Sequence, residues 1–121
     1  MSERDIRDFL IDIWKEIEHI EKFSDGIENY EELQEDEKTL YAIVRCLEII
    51  GEAAKKVPDD IRKRYHRIPW KEMAGMRDKL IHDYFGIDCY ILWETVNKAL
   101  PRLKKEYLKL LEDFNLKDII N

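Results

Sequence analysis

The sequence predicts an all-α protein, a helical bundle with about four main helices and one or two short ones. Three observations carry this: apolar residues recur at helical spacing, capping residues and prolines punctuate those stretches, and no run alternates as a half-buried strand would. Ile6, Phe9, Leu10, Ile13, Ile17 and Ile20 make the first apolar stripe, with an N-cap signal from Ser2 and Asp5, so a helix is expected over about residues 3–23. Ser24, Asp25 and Gly26 break it, and a short acidic stretch leads to Asp36, the expected N-cap of a second long helix. Leu40, Ile43, Val44, Leu47, Ile50, Ala54 and Val57 form that helix's stripe. Gly51 lies inside it, where glycine costs about 1 kcal/mol relative to alanine, so a close helix contact is expected there.

Pro58 opens a short helix through Ile61 and Tyr65, and Pro69 separates it from a further helix that starts near Trp70. Gly86 and Asp88 read as a stop and a new N-cap. Leu92, Val96, Ala99, Leu103, Tyr107, Leu110 and Phe114 then trace a long final helix. Pro101 falls within it and should bend it, because proline removes an internal hydrogen bond and crowds the preceding turn. A chain of 121 residues fits one domain spanning residues 1–121.

Composition narrows the function. No apolar stretch approaches the ~20 residues of a membrane span and no leader pattern opens the chain, so a soluble, cytoplasmic protein is expected. Cys46 and Cys89 stand far apart without metal-ligand spacing, and each reads as a small buried apolar residue. No glycine-rich phosphate loop and no serine or cysteine nucleophile motif is present. Glu16 and His19 have the Glu-x-x-His spacing of di-iron bundles, but His66 and His82 are each preceded three positions earlier by lysine, so the second motif such a centre needs is missing. No metal site and no cofactor are expected.

The net charge of −6 hides a segregation along the chain. Residues 1–36 carry four basic and thirteen acidic side chains, whereas residues 55–79 carry nine basic and four acidic ones. A basic segment can hold RNA phosphate; equally, the two segments can be solvated helix faces that pair with each other or with a second subunit.

On a helical wheel Met73, Met76, Leu80 and Ile81 define the apolar face after Trp70, and Arg77 and Tyr84 fall near its middle. An arginine there needs a partner, a cleft or an interface, since an unpaired buried charge costs several kcal/mol. Asp78 and His82, four apart, would be neighbours on an adjacent strip, where the carboxylate could fix the imidazole tautomer. On that wheel His82 lies about 140° from Arg77, so the two converge only if the helix end is distorted or their side chains reach across a groove. Two readings stay open on these residues alone: a structural ion-pair group near a helix end, or a site.

The run from Met76 to Tyr84, MRDKLIHDY, resembles the R-x-x-x-x-H-x-Y motif of HepT-like proteins in the HEPN superfamily, including the polar residue after the arginine. Arg45 through Ala54, with its EIIGEAA core, is similar to that family's second long helix, and Ile68, Pro69 and Trp70 before the motif and Trp93 after it also fit. The resemblance covers nearly the whole chain. It implies a homodimeric, metal-independent endoribonuclease toxin with Arg77, His82 and Asp78 as catalytic residues in a composite cleft. It implies RNA as substrate, and an MntA-like nucleotidyltransferase antitoxin that silences the toxin by attaching AMP to Tyr84. The chemistry is consistent: cleaving RNA through its own 2′-hydroxyl needs a proton carrier, which histidine with an ordinary pKa near ~6.5 can be, and a fixed positive charge, which arginine supplies. The alternatives are a non-catalytic HEPN module that binds nucleotide or docks a nucleotidyltransferase and, for Tyr84 alone, a core aromatic.

Overall fold

The structure, a computed structural model, describes residues 5–82 and 86–120, and of Ile81 and His82 the backbone alone. Helix α1 (Ile6–Ser24) starts where Asp5 leaves an extended backbone. The Asp5 carboxylate accepts from the Arg7 N–H at 2.9 Å, and Asp8 reaches back to the Asp5 N–H at 3.3 Å. These bonds satisfy donors that a helix start leaves open, so the helix begins at Ile6 rather than near residue 3.

Helix α2 (Tyr30–Glu35) occupies the acidic stretch, where no helix was expected. Asn29 caps it through the Glu32 N–H at 2.9 Å, and its one buried residue, Leu33, holds it to the bundle. Helix α3 (Glu37–Lys55) begins at Asp36, whose carboxylate accepts from the Thr39 N–H at 3.1 Å and the Thr39 hydroxyl at 2.8 Å. The same bonds hold the Asp36 pKa below its ordinary value. Helices α1 and α3 form the main pair of the core, burying Leu10, Ile13, Ile17 and Ile20 with Ile43, Val44, Leu47 and Ile50. A fully buried side chain of this size contributes roughly 1.5–3 kcal/mol.

Helix α4 (Asp59–Arg64) follows Pro58. Its Arg62 donates through Nε to the Val57 carbonyl at 2.9 Å and through Nη2 to the Ala54 carbonyl at 2.8 Å, tying α4 to the end of α3. Helix α5 (Trp70–Leu80) then packs on α3 at Gly51. A Cβ on Gly51 would lie 2.9 Å from the Met73 carbonyl oxygen, so only glycine allows this approach. The close contact expected from sequence is therefore present, and its partner is a backbone.

Helix α5 ends at Leu80, earlier than the apolar pattern suggested. Strand β1 (Ile81–His82) pairs antiparallel with strand β2 (Gly86–Ile87), with Ile81 opposite Ile87 and His82 opposite Gly86. The Asp88 N–H closes this small ladder on the Leu80 carbonyl at 2.8 Å. Gly86 adopts φ 77°, a left-handed value that favours glycine.

Asp88 caps helix α6 (Cys89–Glu94) through the Ile91 N–H at 3.0 Å. A π-helical turn, Thr95–Ala99, joins it to helix α7 (Leu100–Asp113), with the Leu100 N–H bonded to the Thr95 carbonyl. Pro101 sits in the first turn of α7, where its missing N–H leaves no gap; the wide turn is how the chain accommodates it. The buried Tyr107 hydroxyl donates to the Leu10 carbonyl, tying α7 to α1, and the Tyr107 ring stacks on Trp14 at 6.4 Å. A 3₁₀ turn, Lys117–Ile119, ends the described chain. Both cysteines are buried free thiols, and among the described residues no helix is long and apolar enough to cross a membrane.

Candidate active site

Arg77 lies on the last turn of α5, where a cation faces the negative end of the helix dipole. Its side chain is 61% exposed, and its Nε donates to Glu48 Oε2 of α3 at 2.9 Å. Helix register explains the pairing. Gly51 meets Met73, and one turn further along each helix, in opposite directions, Glu48 meets Arg77. The glycine that lets the two backbones approach also sets the carboxylate opposite the guanidinium.

The sequence placed Arg77 near the middle of an apolar face, and here the structure differs. Trp70, Met73 and Leu80 are buried and Met76 half-buried, while Arg77 stands exposed at the rim of that face. Its partner is within the chain, so its position is accounted for without a second subunit. An arginine has five N–H donors in a planar fork, and one bond to Glu48 leaves most of them for another ligand. Among the described residues no other group engages the guanidinium. A phosphate, which accepts a pair of parallel N–H bonds, matches that free edge.

Asp78 is exposed at the next position of α5. The helical argument that set it beside His82 does not hold, because the helix ends at Leu80 and His82 continues in β1. The wheel angle between Arg77 and His82 fails for the same reason, and the distortion of the helix end that convergence required is present. The His82 backbone is fixed opposite Gly86. The His82 side chain and the whole of Tyr84 lie outside the described residues.

The basic segment is only partly available to a ligand. Arg62 ties α4 to the end of α3, and Arg64 lies over the Tyr65 ring at 5.3 Å, whereas Arg77 keeps most of its donors beyond its bond to Glu48. Arg64, His66, Arg67 and Lys109 line one shallow cleft together with the carboxylates of Glu106 and Asp113. On the acidic side, Glu21 of α1 pairs with Lys104 of α7 at 2.9 Å. Sequence reasoning missed Glu48 as a partner of Arg77. Its signal was only its place one turn before Gly51, and nothing in one sequence links it to an arginine 29 positions on.

The described residues form a helical bundle with an exposed arginine on the last turn of α5, five positions before a histidine, as the resemblance to HepT-like proteins implies. The model of the family described as Ribonuclease HepT-like matches residues 13–110, and the chain belongs to that family. A protein named as a putative RNase in Methanocaldococcus jannaschii is 51% identical over 118 residues, covering 98% of this chain and 97% of that protein. One named as a probable ribonuclease HepT in Thermococcus cleftensis is 50% identical over 107 residues, 88% of this chain and 96% of the other. A further protein named as a putative RNase, from Caldanaerobacter subterraneus, is 44% identical over 106 residues, with 88% and 94% covered. No solved structure gives a significant match.

Proposed function

We propose that the protein is a metal-independent endoribonuclease of the toxin type, acting on RNA as a homodimer with the two motif regions set around one composite cleft. The observation that carries this reading is Arg77: exposed, anchored at one edge by Glu48 at 2.9 Å, and placed where α5 runs directly into the strand that bears His82. Family membership supplies the reaction class, and the residues supply a route.

In that route the RNA 2′-hydroxyl attacks the adjacent phosphorus, the bond to the 5′-oxygen breaks, and a 2′,3′-cyclic phosphate and a free 5′-hydroxyl result. His82 takes the proton from the 2′-hydroxyl, and an imidazolium returns one to the leaving oxygen; in a dimer the two copies of His82 can divide those tasks. Arg77 stabilises the charge that develops on the phosphoryl oxygens. Asp78, next to Arg77, orients this group or the substrate. Neither task needs a metal ion.

Tyr84 is the proposed control point. A nucleotidyltransferase antitoxin of the MntA type would transfer AMP to its hydroxyl, and the bulky, negatively charged adduct next to Arg77 and His82 would exclude RNA phosphate by volume and by repulsion.

The test is cleavage of a total RNA pool in EDTA by protein whose mass shows no added AMP. Wild type is expected to cut, Arg77→Ala and His82→Ala to lose activity, and Tyr84→Phe to keep most of it. A folded, unmodified wild type that leaves RNA intact would replace this reading with a HEPN module that binds nucleotide or docks a nucleotidyltransferase.

A further inference from the structure

On α1, Glu16 lies among Ile13, Ile17 and Ile20, all fully buried, and its own side chain is only 12% exposed. A carboxylate so placed costs several kcal/mol unless it is compensated. Its visible compensation is His19, one turn on, whose Nδ1 lies 2.9 Å from Glu16 Oε1 and 3.3 Å from Oε2. The imidazole is half exposed and stacks on Phe23 at 5.9 Å, which holds its plane. From α3 the buried thiol of Cys46 completes the group. One ligand atom from each of Glu16, His19 and Cys46 lies within 4.8 Å of the other two.

We propose that Glu16, His19 and Cys46 form a site for one zinc-class divalent ion that ties α1 to α3. The donor set is one sulfur, one nitrogen and one carboxylate oxygen, the mixture that zinc accepts and that magnesium or calcium does not. With metal–ligand bonds of about 2.0–2.3 Å, the ligands of a tetrahedral ion sit roughly 3.5 Å apart, so closing the group needs side-chain shifts of only about 1 Å. The exposed edge of His19 gives solvent access and leaves the fourth position to water. On binding, the Cys46 thiol gives its proton to solvent, and thiolate and carboxylate together neutralise the ion's charge. The site is built from α1 and α3 and uses neither Arg77 nor His82, so it is structural and stands apart from the cleavage reaction.

The experiment titrates cobalt(II) into untagged, chelator-stripped full-length protein and records the sulfur-to-cobalt charge-transfer band. Zinc stoichiometry is measured in parallel by equilibrium dialysis. One ion per chain is expected, with the band lost in Cys46→Ser, kept in Cys89→Ser, and affinity reduced by more than about tenfold in His19→Ala. His19 is half exposed, so its variant keeps the test open if Cys46→Ser fails to fold. Absence of stoichiometric metal, a band that survives Cys46→Ser, or undiminished affinity in His19→Ala would overturn the proposal. The readout is metal on the protein, so its failure is separate from failure of the nuclease reading.

Discussion

Helices α1 and α3 differ sharply from the segment that runs from α5 through the two-strand ladder to α6. The first region is closed by capping carboxylates at Asp5 and Asp36 and buries a continuous set of branched apolar residues. In the second, a helix of 11 residues with three buried side chains gives way to a ladder of two residues per strand, and its arginine stands exposed. The first is a scaffold, and the second is what the scaffold presents. Sites in this arrangement are precise only if the scaffold reaches them, and here it does so at two points, the Gly51–Met73 approach and the Glu48–Arg77 pair.

Substitutions that separate the two regions should therefore separate activity from stability. The largest effect is expected at the site: Arg77→Ala and His82→Ala should lower the cleavage rate by about 10²–10⁴-fold. For Arg77→Ala, thermal unfolding should show a change within the ~0–1 kcal/mol of an exposed ion pair. A large fall in melting temperature for Arg77→Ala would make that residue part of the scaffold instead.

Next in size is Gly51→Ala. The added Cβ meets the Met73 carbonyl at 2.9 Å and forces α3 and α5 apart, at an overpacking cost of about 1–3 kcal/mol against a gain of about 1 kcal/mol in helix propensity. Loss of stability in chemical denaturation, together with loss of cleavage below the melting temperature, is the expected result. Unchanged stability would show that the contact is slack.

Glu48→Ala should sharpen the contrast, because it frees the Arg77 guanidinium without disturbing the core. Cleavage is expected to fall about tenfold, toward the ~10²-fold associated with a 1 Å misplacement. Glu48→Gln keeps an acceptor for Nε and should restore most of the rate. Equal losses in the two variants would mean that the carboxylate's charge, and not its position, is what matters.

How much of this was legible in the sequence follows the same division. The apolar stripes of α1 and α3 and the caps at Asp36 and Asp88 could be read directly, because each depends on residues within a few turns of one another; Gly51, set inside a stripe, signalled a close approach but not its partner Met73. The MRDKLIHDY run marked the candidate site through family resemblance, and the structure adds Arg77's surroundings. Helix α2 was hidden because a single buried leucine, Leu33, gives no period. The early end of α5 was hidden because cross-strand bonds from Gly86 and Ile87 override a helix-compatible sequence. Glu48 with Arg77, and Cys46 with Glu16 and His19, are pairings between helices, which periodicity within one helix cannot show.

The smallest effect lies at the scaffold's cap. The folded-state pKa of Asp36 is lowered by its bonds to Thr39, so its contribution is full above the unfolded value of about 3.9 and is lost as pH falls through the folded value. Asp36→Asn keeps a capping oxygen but cannot titrate. The stability difference between wild type and Asp36→Asn, followed by denaturant unfolding from neutral pH downward, should therefore narrow in acid. A difference independent of pH would remove the charge from the account.

The most direct test of the central claim is the chemistry of the cut ends. RNA fragments produced in EDTA should carry 2′,3′-cyclic phosphate and 5′-hydroxyl termini, and should vanish with Arg77→Ala or His82→Ala. Fragments bearing 3′-hydroxyl and 5′-phosphate ends, or cutting that starts only when magnesium is restored, would contradict it.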